Sequence, residues 1–375
     1  MPMMLHVWPP ILCTSFGRSE PIDGEDLASQ PTLSRFENAP DRKELFRMGE
    51  ALADCVIERH RKRLHGRARR ITIDLDPTDD PTHGQQQFTF FNRHYDCYCY
   101  LPVVCFLTFN DEVEQYLVAA VLRPGNVSGS CGAIGILRRL LRRLNAAFPG
   151  VVFRVRLDGG FAAPEVLEFL DGQPRVEYVV NLASNAVLDR LVEPAMRTAR
   201  RLSKKSGETE HVYGQFRYKT KKTWKYKRRI LYKAEVTRHP NRDPKDNPRF
   251  VVTNMKQSPQ WLYEEVYCQR GDLENRIKEL HYGMEIGRTS CTSFWANQFR
   301  VLMTAAAYVL MQELRLRLAR TDCARAQVST LRERFLKLGV QVVASVRRIV
   351  LHLPQAFPYC DHFYRLALSL GAQTG

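Results

Sequence analysis

No apolar run in this 375-residue chain approaches the ~18 residues that a helix needs to cross a bilayer, so a membrane span is not expected. The stretch Met1 to Gly17 lacks a basic segment and is broken by Pro9 and Pro10, which argues against a secretory leader. The ten cysteines form no repeated C-x2-C pattern. Cys97 and Cys99 lie in the aromatic run Tyr95 to Tyr100 with no evident metal partners, so the expectation is buried thiols in a reducing cytosol. Negative charge is also short. Forty Asp and Glu face 56 Lys and Arg, leaving a net charge of +16. That excess suits a protein that neutralises phosphates, but equally a ribosomal, RNA-binding or membrane-surface protein. With 44% hydrophobic residues the chain can bury a large core and hold more than one domain.

Against that background, two segments end in aspartate. In Ile71-Thr72-Ile73-Asp74-Leu75-Asp76-Pro77-Thr78, apolar and polar residues alternate with the period of a half-buried strand. Pro77 stops ladder pairing, which puts Asp74 and Asp76 at the strand's carboxyl end, pointing the same way. The run Val151 to Asp158 is also β-branched and closes on Gly159-Gly160. Carboxyl ends of strands in open α/β sheets are where ligands bind. Either aspartate alone reads as a turn or cap residue.

A third carboxylate comes from Tyr267 to Lys278, where Tyr267, Arg270 and Glu274 are spaced Y-x2-R-x3-E. Residues three, four and seven apart share one helix face, so these three project together, with Lys278 and His281 continuing the face. Such a string by itself is usually a solvated helix surface. Joined to two strand-end aspartates, it makes a three-carboxylate site for divalent metal.

The pattern between these points suggests an order of elements. Residues 39–69 read as a helix, with Leu45, Met48, Leu52, Cys55 and Val56 at helical spacing. Phe88–Phe91, Cys97–Phe109 and Glu114–Leu122 are strand candidates. Ile134–Ala147 is an amphipathic helix with Arg138, Arg139, Arg142 and Arg143 on its polar side. Several strands, a helix and a second aspartate-ended strand follow the RNase H-like order. Asp158 to Glu274 spans 116 residues, too many for one helix and a strand, so part of it is an insertion. Alternating aromatics and cations from Gln215 to Val236 read as paired strands with one cationic face. There Lys219, Lys221, Lys222, Lys225, Lys227, Arg228 and Arg229 are expected to grip DNA backbone, with Trp224 stacking on an unpaired base. The bland alternative is a hairpin whose lysines blunt an edge. Arg238–Arg249 reads as a loop, Phe294–Leu318 as an apolar core helix, and residues 325–353 as a basic helix or strand.

At this point the chain resembles a bacterial insertion-sequence transposase with a DDE catalytic domain. More narrowly it is similar to transposase DDE domain group 1, in the branch marked by Y-x2-R-x3-E-x6-K. The strings that carry the resemblance are Leu27 to Asn38, Asp74 to Asp80, His83 to Gln86, Leu122 to Asn126, Arg156 to Ala162, Tyr267 to Lys278, and Leu331 to Pro358 with Arg347-Arg348. They cover the chain from about residue 25 onward, and their joint order is specific.

The resemblance implies an α/β fold: an RNase H-like catalytic core, a β-rich insertion before the catalytic Glu helix, and helical N- and C-terminal segments. The expected divisions are 1–69, a core at 70–190, a basic insertion at 191–255, the rest of the core at 256–320, and 321–375. By family position Asp76 is the first carboxylate with Asp74 a close second, Asp158 the second and Glu274 the third. Asp76, Asp158 and Glu274 would ligate two Mg²⁺ ions, with Mn²⁺ able to substitute, because hard cations want oxygen ligands. Tyr267 and Arg270 would orient the scissile phosphate, and Lys278 or His281 the neighbouring one. Implied partners are double-stranded DNA with terminal inverted repeats, target DNA and a second copy of the chain, with a cytoplasmic, nucleoid-associated location. Two departures stand out. His281 occupies the position where the family expects lysine, and the front segment is short, suggesting a truncated copy. The alternative readings are an inactive copy that only binds DNA, a basic nucleic-acid-binding protein with structural carboxylates, and a non-transposing nuclease.

Overall fold

The computed structural model describes residues 3–5, 28–344, 346, 349–354 and 356–371. Leu27, Pro9, Pro10, Arg347 and Arg348, invoked above, lie outside them. The first helix, α1 (Gln30–Asn38), is followed by α2 (Arg42–Leu64). A reciprocal cap starts α2: the Asp41 carboxylate accepts from the Lys43 and Glu44 amides, and Glu44 accepts from the Asp41 amide. Its apolar stripe buries Leu45, Ala53, Val56 and Ile57, whereas Cys55 stays exposed.

Strands β1 (Arg70–Pro77), β2 (Val103–Phe109) and β3 (Tyr116–Val121) form an antiparallel meander. Helix α3 (Ala133–Ala147) leads to β4 (Val152–Leu157), which lies parallel to β1. Helix α4 (Pro164–Asp171) then leads to β5 (Val176–Leu182), parallel to β4. Helix α5 (Ala186–Ser206) precedes β6 (Glu210–Tyr218), β7 (Arg228–Thr237) and β8 (Arg249–Thr253). The spatial order is β6-β7-β8-β5-β4-β1-β2-β3, and Lys245–Asp246 adds a short ninth strand beside β7. It is a mixed α/β architecture around one mixed sheet.

Several elements differ from their sequence reading. The expected single strand Cys97–Phe109 is split: Cys97–Tyr100 joins Asp80–Pro81 and Phe90–Asn92 in a separate small sheet, and β2 starts only at Val103. Pro102, which cannot donate to a ladder, sits at the break. The strands expected to form an insertion continue the central sheet, because β8 pairs with β5 on one side and β7 on the other. The stretch 325–353 contains helical turns over Val328–Leu336 and then strands Gln341–Ala344 and Ile349–His352.

The segment expected as one helix over Tyr267–Lys278 is irregular. Leu262–Tyr267 forms a wide π-type turn, Cys268–Arg270 a tight 3₁₀ turn, α6 (Gly271–Lys278) a short α-helix, and Glu279–Gly283 a second π-type turn. Helix α7 (Phe294–Arg317) closes the free edge of the sheet. Its Gln298 accepts from the Leu122 amide and donates to the Ala120 carbonyl, while Gln312 accepts from the Leu117 amide and donates to the Gln115 carbonyl. Two glutamines thus satisfy an edge that would otherwise be open to pairing. A last helix, α8, covers Cys360–Ser369.

Candidate active site

Alternation along β1 sends Ile71, Ile73 and Leu75 into the main core and Thr72, Asp74 and Asp76 to the opposite face. The parallel register then decides which residues meet. Asp74 lies opposite Arg156 and Leu75 opposite Leu157, so one step further Asp76 stands beside Asp158. Neighbouring strands lie about 4.8 Å apart, which brings the two carboxylates into each other's field. The Asp158 side chain accepts from the Gly160 amide at 3.0 Å and caps the tight turn Gly159–Phe161.

The two β1 aspartates have different surroundings. Asp74 is fully buried, and both its oxygens are held by Arg156, from Nε and Nη2, each at 2.7 Å. Arg156 also donates to the Val266 carbonyl at 3.3 Å, tying the pair to the first π-type turn. Asp76 instead accepts from Arg270 Nη2 at 2.6 Å. Burial raises the Asp76 carboxyl to about 7; Arg270 pulls it down, and the nearby charges of Asp158 and Asp74 push it up. Arg270 Nε is buried without a hydrogen-bond partner. Tyr267 packs at a tilt against Tyr263, with ring centroids 5.5 Å apart. Its phenol is raised by burial, with Arg270 opposing and Asp158 adding.

Glu274 is exposed on α6, as is Lys278. Among the described residues no group of three or more His, Cys, Asp or Glu side chains is arranged to hold a metal ion. The geometry therefore assembles Asp76, Asp158, Arg270 and Tyr267 but does not close the three-carboxylate cluster that the spacing suggested. The reason is local. The π-type and 3₁₀ turns before Gly271 change the residues per turn, so a face counted at 3.6 is not maintained. Arg270 meanwhile holds one oxygen of Asp76 at 2.6 Å, so a divalent ion there would take the other oxygen or displace Arg270.

His281 lies at the end of the same segment, its Nε2 2.8 Å from Thr78 Oγ1. Burial lowers its pKa, with Asp79 opposing, and favours the neutral ring. Three further residues were not singled out by spacing. Tyr95 feels the charges of Asp79, Asp76 and Asp158, though burial is the main cause of its phenol rising to about 12. Asp80 is buried; Thr289 donates to its Oδ2 at 2.7 Å, and its Oδ1 has no partner. Arg123 donates to the carbonyls of Leu101 at 2.7 Å, Gly129 at 2.8 Å and Cys131 at 2.9 Å. It thereby sets the loop that packs on the Asp158 turn: a Cβ on Gly129 would stand 3.1 Å from the Gly160 carbonyl oxygen. The only sequence signal for Arg123 was its place in the Leu122–Asn126 string.

The basic hairpin departs from its expected role in two respects. Trp224 is buried, 4% exposed, in the main core, so it is not available to stack on a base. Its ring packs against Tyr218 and under the Arg228 guanidinium, 4.8 Å from the ring centroid. Arg228 is buried too and paired with Asp171, because a cation on the inner face of a sheet strand needs a counter-charge. Lys225 pairs with Glu168, while Lys221, Lys222 and Lys227 are exposed and Arg229 is half-buried. The registers Arg229 to Thr253 and Thr253 to Val179 place the turn between β6 and β7 near the amino ends of β4 and β5. Asp76 and Asp158 stand at the carboxyl ends; Asp158 is two residues beyond the level of Arg229 at ~3.3 Å each and three strands across at ~4.8 Å each, roughly 16 Å away.

A family model described as transposase DDE domain group 1 matches residues 9–373, nearly the whole chain. The match reaches further forward than the strings that carried the resemblance, and this chain belongs to that family. No curated protein matches it. Among solved structures it is similar to endonuclease V of Ciona intestinalis, a variant in complex with a 23mer DNA containing an inosine followed by a ribo-adenosine. Identity is 13%, the match covers 69% of this chain and 95% of the other, and the TM-score is 0.26. At that score the likeness carries no argument. No helix among the described residues is long and apolar enough to cross a membrane.

Proposed function

We propose that this member of the transposase DDE domain group 1 family cleaves DNA at the ends of an insertion sequence and joins those ends to target DNA. The observation that carries the reading is the register that sets Asp76 beside Asp158, with Arg270 and Tyr267 facing them. The strand order, with β1 central between the meander β2-β3 and the parallel β4-β5, supports an RNase H-like core. Asp76 is the first carboxylate in preference to Asp74, because both Asp74 oxygens are already held by Arg156. Asp158 is the second and Glu274 the third.

Family members typically use a divalent metal. In this reading Asp76, Asp158 and Glu274 would hold two Mg²⁺ ions, or Mn²⁺ in their place, once Arg270 had turned from Asp76 to the substrate phosphate, and the metal would supply activation of the attacking oxygen and stabilisation of the leaving one. The chain's own side chains do the rest. Arg270 gives a planar donor fork suited to a phosphodiester, and its unpartnered Nε is a donor in reserve. Tyr267 stays protonated and donates rather than accepts, since burial raises its phenol. Lys278, exposed, supplies charge to a neighbouring phosphate, and neutral His281 steadies Thr78, two residues after Asp76. Lys221, Lys222 and Lys227 add further backbone contacts. The proposed partners are DNA with terminal inverted repeats, target DNA and a second copy of this chain. The proposed location is the cytoplasm, on the nucleoid.

The test is Mg²⁺- or Mn²⁺-dependent cleavage of DNA carrying the element's own ends, comparing the chain with Glu274→Gln and Asp158→Asn. Cleavage that disappears in both while DNA binding persists is the expected result. A second reading, a DNA-binding protein that does not cut, is favoured by one observation: Arg270 occupies Asp76. Binding without cleavage in the unaltered chain would select it.

A further inference from the structure

A second concentration of positive charge lies away from Asp76 and Asp158. A cavity of about 610 Å³ opens where β6, β7 and the segment after β8 meet. Arg217, Lys227, Arg228, Arg229 and Lys256 line it, and Asp171 is its one acidic lining residue. Asp171 is already engaged on both oxygens. Its Oδ1 accepts from the Tyr178 hydroxyl at 2.8 Å, and its Oδ2 accepts from the Tyr226 hydroxyl at 2.5 Å and from Arg228 Nε at 2.9 Å.

Of the five cations only Arg228 has a counter-charge, the Asp171 carboxylate, and that one acid serves the whole cavity. Arg228 has a side chain only 2% exposed, and its Nη1 has no hydrogen-bond partner. The rings of Trp224 and Tyr226, 4.8 and 4.7 Å from its guanidinium carbon, fix it. Arg217 stands directly opposite Arg229 in the antiparallel register, a like-charge cross-strand pair that disfavours the hairpin. Burial and the Arg217 charge both lower the Arg229 pKa. Arg229 itself is immobilised by neutral acceptors only: Gln215 Oε1 at 2.6 Å and the carbonyls of Met255 at 2.5 Å and Gln257 at 2.8 Å. Among the described residues Arg217, Lys227, Arg229 and Lys256 form no ion pair.

We propose that this cavity is a second nucleic-acid contact, which takes consecutive phosphates of a DNA strand independently of the cleft at Asp76 and Asp158. A polyanion matches it better than a single phosphate. The cavity is several times the volume of one phosphate group, and exposed Lys221 and Lys222 extend the cationic row along the adjoining turn. Guanidinium forks suit phosphate oxygens, and fixed ones lose little freedom on binding. With Arg229 roughly 16 Å from Asp158, a duplex reaching both must run at least about five base pairs at ~3.4 Å each.

This inference rests on the reading of the chain as one that acts on DNA, and its test separates the two. Binding of a 30-base-pair duplex to the full chain is measured by fluorescence anisotropy without divalent metal, over 50–300 mM salt. The comparison is Arg217→Ala/Lys256→Ala, two exposed positions whose folding is checked by thermal unfolding, and the charge-retaining Arg217→Lys/Lys256→Arg. The alanine pair should weaken binding at least tenfold at 100 mM salt and flatten the log K against log salt slope by about 1.8, at ~0.9 per cation. The charge-retaining pair should restore both. An unchanged slope and affinity in a folded alanine pair would overturn the proposal. So would calorimetric binding of inorganic phosphate, lost in the alanine pair, with duplex affinity unaltered, since that assigns the cavity to a free anion. Failure of DNA cleavage with the slope effect intact would sink the transposase reading and leave this site standing.

Discussion

Asp80 offers the cleanest quantitative check of the interior, because it is a buried carboxylate with no cation beside it. Burial raises it from an ordinary 3.8 to about 7, the hydrogen bond from Thr289 pulls the other way, and Asp79 adds a smaller upward push. A folded state that holds a proton already released by the unfolded chain loses stability as pH rises. At about 1.36 kcal/mol per pH unit, the loss between pH 3.8 and 7 is about 4 kcal/mol, of which about 3 kcal/mol falls between pH 5 and 8. Below pH 4 the penalty is absent, and above 7 it is complete.

The perturbation is Asp80→Asn, which keeps the shape and an acceptor for Thr289 while removing the charge. Buried His60, lowered to about 3 mainly by desolvation, works in the opposite direction, since a ring kept neutral costs stability as pH falls below 6.5. The comparison must therefore be the difference between variant and unaltered chain at each pH, in which the His60 contribution cancels. Urea unfolding at pH 5, 6, 7 and 8 should show the advantage of Asp80→Asn growing by about 3 kcal/mol from pH 5 to 8. A difference that stays flat across those pH values would refute the assignment of Asp80 as a buried, unpaired acid.

Three further outcomes follow from the site and the hairpin. Arg270→Gln removes a charge that holds the Asp76 carboxyl down, so the acid limb of the pH–rate profile should move to higher pH and cleavage should fall roughly 10²-fold; an unmoved limb would separate Arg270 from Asp76. Trp224→Ala should cost about 3–5 kcal/mol in thermal or urea unfolding, with any loss of DNA affinity accompanying that destabilisation because the ring also fixes Arg228; selective loss of affinity at unchanged stability would restore a base-stacking role. His281→Lys should lower stability by about 1 kcal/mol through loss of the Thr78 hydrogen bond, and steepen the salt dependence of DNA binding by about 0.9. An unchanged slope would place position 281 away from phosphate.

Local pattern carried a good deal of this molecule. Alternation in Ile71–Asp76 gave a strand with two carboxylates on one face, and helical spacing gave α2, α3 and α7 within a few residues. These properties depend on neighbours within a turn or a pleat, which sequence lists directly. The split of the expected strand Cys97–Phe109 has a local cause too, since a proline can end a strand that composition would continue.

Partnership was decided elsewhere. Nothing in residues 70–77 says that Asp74 will face Arg156 while Asp76 faces Asp158; that needs the parallel register of β1 on β4, 82 positions apart. Nor does an aromatic among lysines reveal that Trp224 points inward, because it lies in the turn between β6 and β7, where no strand alternation fixes which way a side chain faces. The Tyr267–Glu274 spacing was read correctly as a string and then bent by π-type and 3₁₀ turns that packing against Asp74 and Arg156 imposes. The sequence by itself determined which residues could alternate, coil and carry charge. Only the tertiary structure decided which of those charges neutralise one another and which are left facing a cavity, because Coulomb energy and desolvation depend on distances that chain order does not contain.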